Sequence, residues 1–354
     1  MALKNKSQPL VGIDISSTAI KVVQLGRAGG RYRIDHYAIE PIQTGWVNDK
    51  VIDQAQAEQV AGIIEKALKR ANIKTRHAVV AVSGTGVITK VIQIPGQVGM
   101  PEHELQAQVE LEASNHIPFP VDEVRMDYDV MGPASTDGLL NVLLAAVRKE
   151  TANTVQETAE MAGLTVEVMD VEVLALETAY GVVAQELKIP TDDLVALFDI
   201  GASVITLTVM KDQHGIYQRQ QAFDTRALES ELRRQMGCSQ EEALAHLRSA
   251  EFPAGFEASV LEPFRESLCQ SMGRLLQYFY SSTEFNTINK ILLSGGGAGT
   301  HGLPEALDER LGIPTTVANP LASMALGSGV RGQDLATDAP SLFLATGLAL
   351  RSFD

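Results

Sequence analysis

The stretch VGIDISSTAIKVVQL at residues 11–25 is similar in pattern to LFDIGASVITLTV at residues 197–209. In each, an apolar run ends in an aspartate, a small polar turn follows, and β-branched residues lead away. This pattern predicts a strand, a tight turn and a second strand. The two aspartates, Asp14 and Asp199, are about 185 positions apart. The repetition indicates a duplicated α/β lobe, with a cleft between the two halves.

Composition limits the classes of protein to which the chain can belong. Its 354 residues are too many for one small core, and 45% hydrophobic with 21% charged residues is ordinary for a soluble globular protein. The formal net charge of −15 argues against a nucleic-acid binder and against electrostatic docking on anionic lipid. Two cysteines without a CxxC pair fit a reducing cytoplasm, and the seven histidines show no metal-binding spacing.

The apolar stretches are too short for a membrane protein. None reaches 18 residues, and residues 1–14 hold no hydrophobic core of signal-peptide length. We therefore expect a cytoplasmic protein, for which any attachment to a membrane would have to come through partner proteins.

The chemistry of the two turns favours a nucleoside triphosphate with Mg²⁺. Tight turns of small residues present backbone N–H groups to phosphates. An aspartate at a strand end supplies the carboxylate, usually through metal-bound water because Mg²⁺ keeps much of its hydration shell. Asp14 and Asp199 are thus the predicted Mg²⁺ residues. The other predicted phosphate-binding residues are Ser16, Ser17, Thr18 and Lys21 in the first hairpin and Gly201, Ala202 and Ser203 in the second.

A third element, LLSGGGAGTHGL at residues 292–303, places three glycines directly after an apolar strand. Gly295, Gly296 and Gly297 would let the backbone approach a base or ribose closely. The stretch is not GxxxxGK[ST], so the chain is not a P-loop protein, and an acidic ribose-binding position is missing from where a Rossmann site needs it.

In this order, two aspartate hairpins and a strand followed by three glycines resemble the superfamily of actin, sugar kinases and the main heat-shock chaperones. The resemblance implies ATP held between two lobes, with Asp14 and Asp199 around Mg²⁺ and Gly295–Gly297 against adenosine.

A narrower resemblance is carried by EASNHIPFPVDEVRMDYDVM at residues 112–131, by residues 12–25 and by VEVLALETAYG at residues 171–181. These stretches are similar to the PilM family of type IV pilus assembly proteins. The resemblance implies an ATP-binding adaptor, at most a slow ATPase. Its expected partners are the cytoplasmic tail of the membrane protein PilN, other pilus assembly proteins and further copies of itself.

The expected fold is a two-lobed actin-like α/β ATPase fold with a subdomain inserted in the first lobe. The first-lobe core spans residues 1–84 and 165–190, and the inserted subdomain spans 85–164. The second-lobe core spans 191–222 and 285–335, its helical subdomain 223–284, and residues 336–354 return to the first lobe.

Two other functions stay open at this point. A small-molecule kinase of the same fold would need an acceptor pocket and a base, and no distinctive acceptor motif is present. A cytoskeletal relative of FtsA or MreB usually attaches to membrane through a terminal amphipathic helix, and none is predicted. The sequence departs from the family pattern at two places near the site. Ser16 stands where many superfamily members have glycine, and residues 221–234 lack the Gly-Gly that is usual in PilM-like proteins before the helix predicted at residues 227–236.

Overall fold

The computed structural model describes residues 9–48, 50–84 and 86–353. Its strands are β1 (Val11–Ile15), β2 (Ala19–Ala28), β3 (Arg31–Pro41), β4 (Val47–Asn48), β5 (Val51–Ile52), β6 (His77–Val82), β7 (Val87–Pro95), β8 (Val124–Pro133), β9 (Leu139–Arg148), β10 (Thr165–Val171), β11 (Val195–Ile200), β12 (Val204–Lys211), β13 (His214–Ala222), β14 (Lys290–Ser294), β15 (Thr315–Val317) and β16 (Ala325–Leu326). The helices are α1 (Ala57–Arg70), α2 (Glu102–Ala113), α3 (Lys149–Met161), α4 (Glu172–Glu186), α5 (Arg226–Met236), α6 (Gln240–Ser249), α7 (Glu262–Ser282), α8 (Leu303–Leu311), α9 (Gly332–Asp338) and α10 (Phe343–Leu350).

The two main sheets repeat one plan. The first has the order β10-β6-β1-β2-β3-β16, and the second has the order β13-β12-β11-β14-β15. In the first, β1, β2 and β3 form an antiparallel meander, with β6 and β10 parallel to β1 on its other side. In the second, β11, β12 and β13 form the meander, and β14 and β15 are the parallel strands. The duplication predicted from the two hairpins is therefore confirmed.

The hairpins also agree in register. Asp14 lies opposite Lys21 in the first hairpin, and Asp199 lies opposite Thr206 in the second. Because cross-strand partners share a face of the sheet, each aspartate has the side chain of its partner as a neighbour. The equivalent position thus holds a cation in one lobe and a hydroxyl in the other.

Helix α10 joins the first sheet to α4 at very short range. A Cβ added to Gly12 of β1 would lie 2.4 Å from the carbonyl oxygen of Ala345, and one added to Gly347 would lie 1.9 Å from that of Ala175. Only glycine allows backbones to approach so closely. The apolar residues 343–350 are all buried, which is why this small-residue segment forms a helix inside the molecule.

The inserted subdomain has a sheet of its own, in the order β7-β9-β8, with α2 packed on one face. Ile92 and Leu144 in the sheet and Val109 on α2 are almost completely buried. Alternation along β9 sends every second residue to this core. The predicted first residue of the subdomain, residue 85, lies outside the described residues.

The structure differs from the expected division of the chain near its end. Strand β16 pairs with β3, so residues 325–326 lie in the first sheet, whereas residues 285–335 were expected in the second lobe. The chain after β16 forms α9 and then a 3-10 turn at Ala339–Leu342. Leu335 and Leu342 are buried with Leu25 and Ile34 of the first sheet. These contacts stabilise segments too short to show a helical period.

Within the described residues, no helix combines the length and the apolar character that crossing a membrane requires.

Candidate functional site

The first hairpin holds Asp14 in an almost buried position, with 4% of its side chain exposed. Lys21 Nζ donates to Asp14 Oδ2 at 2.8 Å, because the two residues are partners across the hairpin. Asp14 Oδ1 is also buried and accepts no hydrogen bond from any described residue. A buried carboxylate oxygen without a donor is costly, so this atom is suited to an added cation or water.

In the first hairpin, the side chain of Ser16 is part of the turn itself. Ser16 donates both its backbone N–H, at 3.1 Å, and its hydroxyl, at 2.7 Å, to the carbonyl oxygen of Ala19. The hydroxyl is thus engaged inside the turn. Ser16 therefore stabilises the turn instead of presenting its side chain to a ligand.

In the second hairpin an equivalent hydrogen bond closes the turn, and the segment after β13 donates hydrogen bonds to the turn. Gly201 N–H donates to the carbonyl oxygen of Val204 at 3.0 Å. The carbonyl oxygens of Ala202 and Ser203 accept N–H groups from the segment that follows β13. Asp199 Oδ1 lies 3.3 Å from the Oγ of Ser294, at the end of β14.

Backbone N–H groups remain available in both turns. Among the described residues, the N–H groups of Ser17, Thr18, Ala202 and Ser203 donate to no acceptor, whereas those of the residues preceding each pair close the turns. Two neighbouring N–H groups in each lobe form the kind of donor set that binds phosphate oxygens.

The three glycines have different roles. A Cβ on Gly295 would lie 2.6 Å from the carbonyl oxygen of Ile200, and one on Gly297 would lie 2.3 Å from Ile200 Cγ2. These two glycines let the turn pack against the end of β11. Gly296 has no atom within 4 Å of such a Cβ. Gly296 alone of the three therefore faces open space that a ligand could use.

Two charged residues that sequence reasoning missed, Lys50 and Glu172, connect the hairpins. Lys50 Nζ contacts Glu172 Oε1 and lies 3.7 Å from Asp199 Oδ2. Burial by itself lowers the pKa of Lys50, but attraction to Glu172, Asp199 and Asp14 outweighs it, so the pKa is raised and the side chain stays charged. Burial also raises the pKa of Glu172, and the opposing effect of Lys50 does not cancel it.

A signal for Glu172 was present in the sequence. It directly follows β10, and β1, β6 and β10 run parallel, so their carboxyl ends share one edge of the sheet. Ligand sites in α/β sheets form at that edge. Lys50 had no such signal, because it lies in the short β4–β5 connection and reaches the site only through the tertiary fold.

The structure brings three of the predicted residues, Asp14, Asp199 and Gly295, close to one place. Asp14 and Asp199 approach a common cation, Lys50, and Gly295 borders Asp199. In the described part of the chain, no three metal-ligating side chains are grouped to hold an ion directly. Coordination of Mg²⁺ by these carboxylates through its own water stays a prediction.

Comparisons with known proteins agree on family and fold. A solved structure described as "PilM-PilN type IV pilus biogenesis complex" is 26% identical, has a TM-score of 0.78, and is matched over 98% of this chain and 99% of that one. The ethanolamine utilization protein EutJ from Carboxydothermus hydrogenoformans is 15% identical, with a TM-score of 0.54 over 97% of this chain and 89% of that one. The chain thus has the predicted two-lobed actin-like fold. The family described as "Type IV pilus assembly protein PilM" matches residues 12–353, and this chain belongs to that family.

Proposed function

We propose that this chain is an ATP-binding adaptor of type IV pilus assembly, with ATP and Mg²⁺ held between its two hairpins. The observation that carries the nucleotide site is the set of backbone N–H groups without acceptors among the described residues in the two hairpin turns. Lys21 and the two turns would surround the phosphates, and the open side of Gly296 would lie against adenosine.

The carboxylates fit Mg²⁺. Asp14 Oδ1 lacks a donor, and the region around Lys50 holds three carboxylates and two lysines. This arrangement has one uncompensated negative charge, which the double positive charge of Mg²⁺ would offset. When bound, Mg²⁺ would neutralise phosphate charge. Asp14 and Asp199 would orient its water ligands, Lys50 would bind a phosphate oxygen, and Glu172 would hold Lys50.

The nucleotide site is tested by titrating ATP with Mg²⁺ into the whole protein by calorimetry. Asp14→Ala and Asp199→Ala should each weaken binding at least about tenfold, the effect of losing one charge-assisted contact. Asp192→Ala, in an exposed connection, is the matched control and should bind as the parent does. Unchanged ATP affinity in both Asp14→Ala and Asp199→Ala would refute the assignment of the nucleotide site.

The inserted subdomain carries much of the negative charge of the molecule. Residues 86–164 hold twelve acidic and four basic side chains, a net charge of −8 out of −15 for the chain. Cytoplasmic segments beside membrane spans are rich in Lys and Arg, so an acidic surface is complementary to them.

One face of the three-stranded sheet carries both acidic and apolar side chains. In register, Val91, Leu143 and Asp129 are neighbours across β7, β9 and β8, and Asp127 lies on the same face. Val91 is 49% exposed, while the opposite face is covered by α2. An extended basic tail with apolar residues fits such a face.

We propose that the occupant of this face is the cytoplasmic N-terminal tail of PilN, in the groove between the inserted subdomain and the first-lobe core. Supporting this, the relative with the TM-score of 0.78 is described as a complex with PilN. Membrane attachment would then come through this partner.

The tail site is tested with a labelled synthetic peptide of the PilN tail from the same organism, followed by fluorescence anisotropy. Asp127→Lys/Asp129→Lys should abolish measurable binding, because like charges would then face each other. Glu305→Lys/Glu309→Lys on α8 makes the same change in net charge and should bind normally. Equal binding by both double variants would refute the site.

A further inference from the structure

Strand β13 is an unpaired edge of the second sheet. The sheet order ends at β13, and no strand of the described residues pairs with its outer side. The strand is nine residues long and mostly exposed, including Ile216 at 43%. Long exposed edges are normally shielded, since their free N–H and C=O groups can pair with another chain.

At the start of β13, Glu177 of α4 accepts a hydrogen bond from Gly215 N–H, but the rest of the edge, beside α7, carries basic side chains. Residues 215–222 of β13 and 267–282 of α7 contain no Asp or Glu, in a chain with 44 acidic residues. Their only charged side chains are Arg219 and Arg274. A cavity of about 380 Å³ lies between the two elements, lined by Arg219, Gln220, Gln221, Arg274, Leu275 and Tyr278.

Both arginines are oriented by other contacts and have no carboxylate partner among the described residues. The guanidinium of Arg219 lies 3.8 Å from the ring centroid of Tyr278, and Arg274 Nη2 donates to Ser271 Oγ at 3.0 Å. Neither forms an ion pair with any residue of the described chain. Stacking on an aromatic ring orients a guanidinium while leaving its in-plane N–H groups free to donate.

From these observations we propose that β13 and α7 form a docking groove for an acidic, extended peptide segment of a partner protein. The segment adds as a strand to the outer edge of β13 and places its carboxylates on Arg219 and Arg274. Main-chain pairing supplies affinity. The two guanidinium groups select acidic side chains, because a guanidinium binds a carboxylate in a forked geometry. The exposed ring of Tyr278 covers an apolar side chain between them. This site differs from the tail site in charge and lobe, so it requires a different partner.

The test is selection of a phage-displayed library of random nonapeptides on the full chain at low salt. We expect enriched peptides to carry Asp or Glu at alternate positions. A synthetic peptide of the enriched sequence should bind at least about tenfold more weakly to Arg219→Glu/Arg274→Glu. Lys74→Glu/Arg310→Glu makes the same change in net charge at exposed sites and should bind as the parent does.

Hydrogen exchange with the peptide bound should show protection at residues 214–222. Should the double glutamate variant fail to fold, Arg219→Gln/Arg274→Gln replaces it with the same expectation. Absence of an acidic consensus, parental affinity in the arginine variants, or protection confined to other elements would each overturn the proposal. It would equally be overturned if sedimentation showed a dimer of the free chain that these variants dissociate, since a second copy would then occupy the groove.

Discussion

Lys50 Nζ lies 3.7 Å from Asp199 Oδ2, so a cation of the first lobe pairs with the aspartate that ends the second lobe's first strand. The same ammonium contacts Glu172, which follows β10 in the first lobe. Lys50 therefore links the two halves of the molecule at the point where the hairpins meet. It is thus the cation to which all three carboxylates, Asp14, Glu172 and Asp199, are attracted.

Removing this ammonium should lower the free energy of unfolding, and added Mg²⁺ should restore part of the loss. In Lys50→Ala, Glu172 and Asp199 would lose the cation that they share, while Asp14 would keep Lys21, and we expect a loss of about 3 kcal/mol in the free energy of unfolding. Millimolar Mg²⁺ should raise the melting temperature of this variant more than that of the parent, because the ion replaces the lost charge. Thermal unfolding with and without Mg²⁺ measures this. Lys74→Ala, at an exposed site, should show neither effect, and an equal response to Mg²⁺ in all three proteins would contradict the assigned role.

Gly297 and Gly296 should respond in opposite ways to alanine. A Cβ at Gly297 would lie 2.3 Å from Ile200 Cγ2, so Gly297→Ala forces the turn away from β11 and should cost about 1–3 kcal/mol. Gly296→Ala meets no atom within 4 Å and should change stability by less than about 0.5 kcal/mol. Urea denaturation followed by circular dichroism compares them. Similar losses in both variants would show that the packing against Ile200 is not the reason for glycine at position 297.

The close contact of α10 with α4 predicts opposite effects for a second pair of glycine-to-alanine substitutions. Gly347→Ala would put a Cβ 1.9 Å from the carbonyl oxygen of Ala175, so the helices must separate, and we expect a loss of about 3 kcal/mol or more. Gly62, on the exposed side of α1, has nothing within 4 Å of an added Cβ. Gly62→Ala should therefore stabilise the protein by about 0.5–1 kcal/mol. Chemical denaturation of both variants tests this, and a neutral Gly347→Ala would contradict it.

Glu40 predicts a pH dependence of stability. Its side chain is 1% exposed, and its oxygens lie 2.8 Å from Lys66 Nζ and 2.9 Å from Arg70 Nη1. Burial by itself raises the pKa of Glu40, but the hydrogen bonds from these two cations outweigh it and the pKa is lowered. A lowered folded-state pKa adds stability above the unfolded pKa of about 4.3 and loses it as the pH falls through the folded value.

Glu40→Gln should therefore lower the free energy of unfolding by about 1–2 kcal/mol at pH 7, and the difference should shrink below about pH 4. Both cations are largely exposed, so water limits the loss. Denaturation curves between pH 3 and pH 8 measure it. Glu186→Gln, at an exposed helix end, is the control and should show no such trend; a constant difference across this range would refute the ionic origin.

Much of the site was predictable from local pattern. An apolar run that ends in aspartate and a turn of small residues specifies a hairpin, and its repetition after about 185 positions specifies a second lobe. The positions of Asp14 and Asp199 at strand ends follow from the same pattern. The division near residue 325 did not follow, because β16 has two residues and exists only through its pairing with β3.

What the sequence determined by itself is thus the pair of hairpins with their aspartates and the glycine turn, since turn chemistry and alternation of apolar residues act within a few positions. Tertiary structure alone decided that Lys50 joins Asp199 to Glu172, because these residues are far apart in the chain and meet only when the lobes pack. It also decided which glycine of residues 295–297 is open, since that depends on where Ile200 lies. Local pattern cannot encode such contacts, which arise from the packing of distant segments.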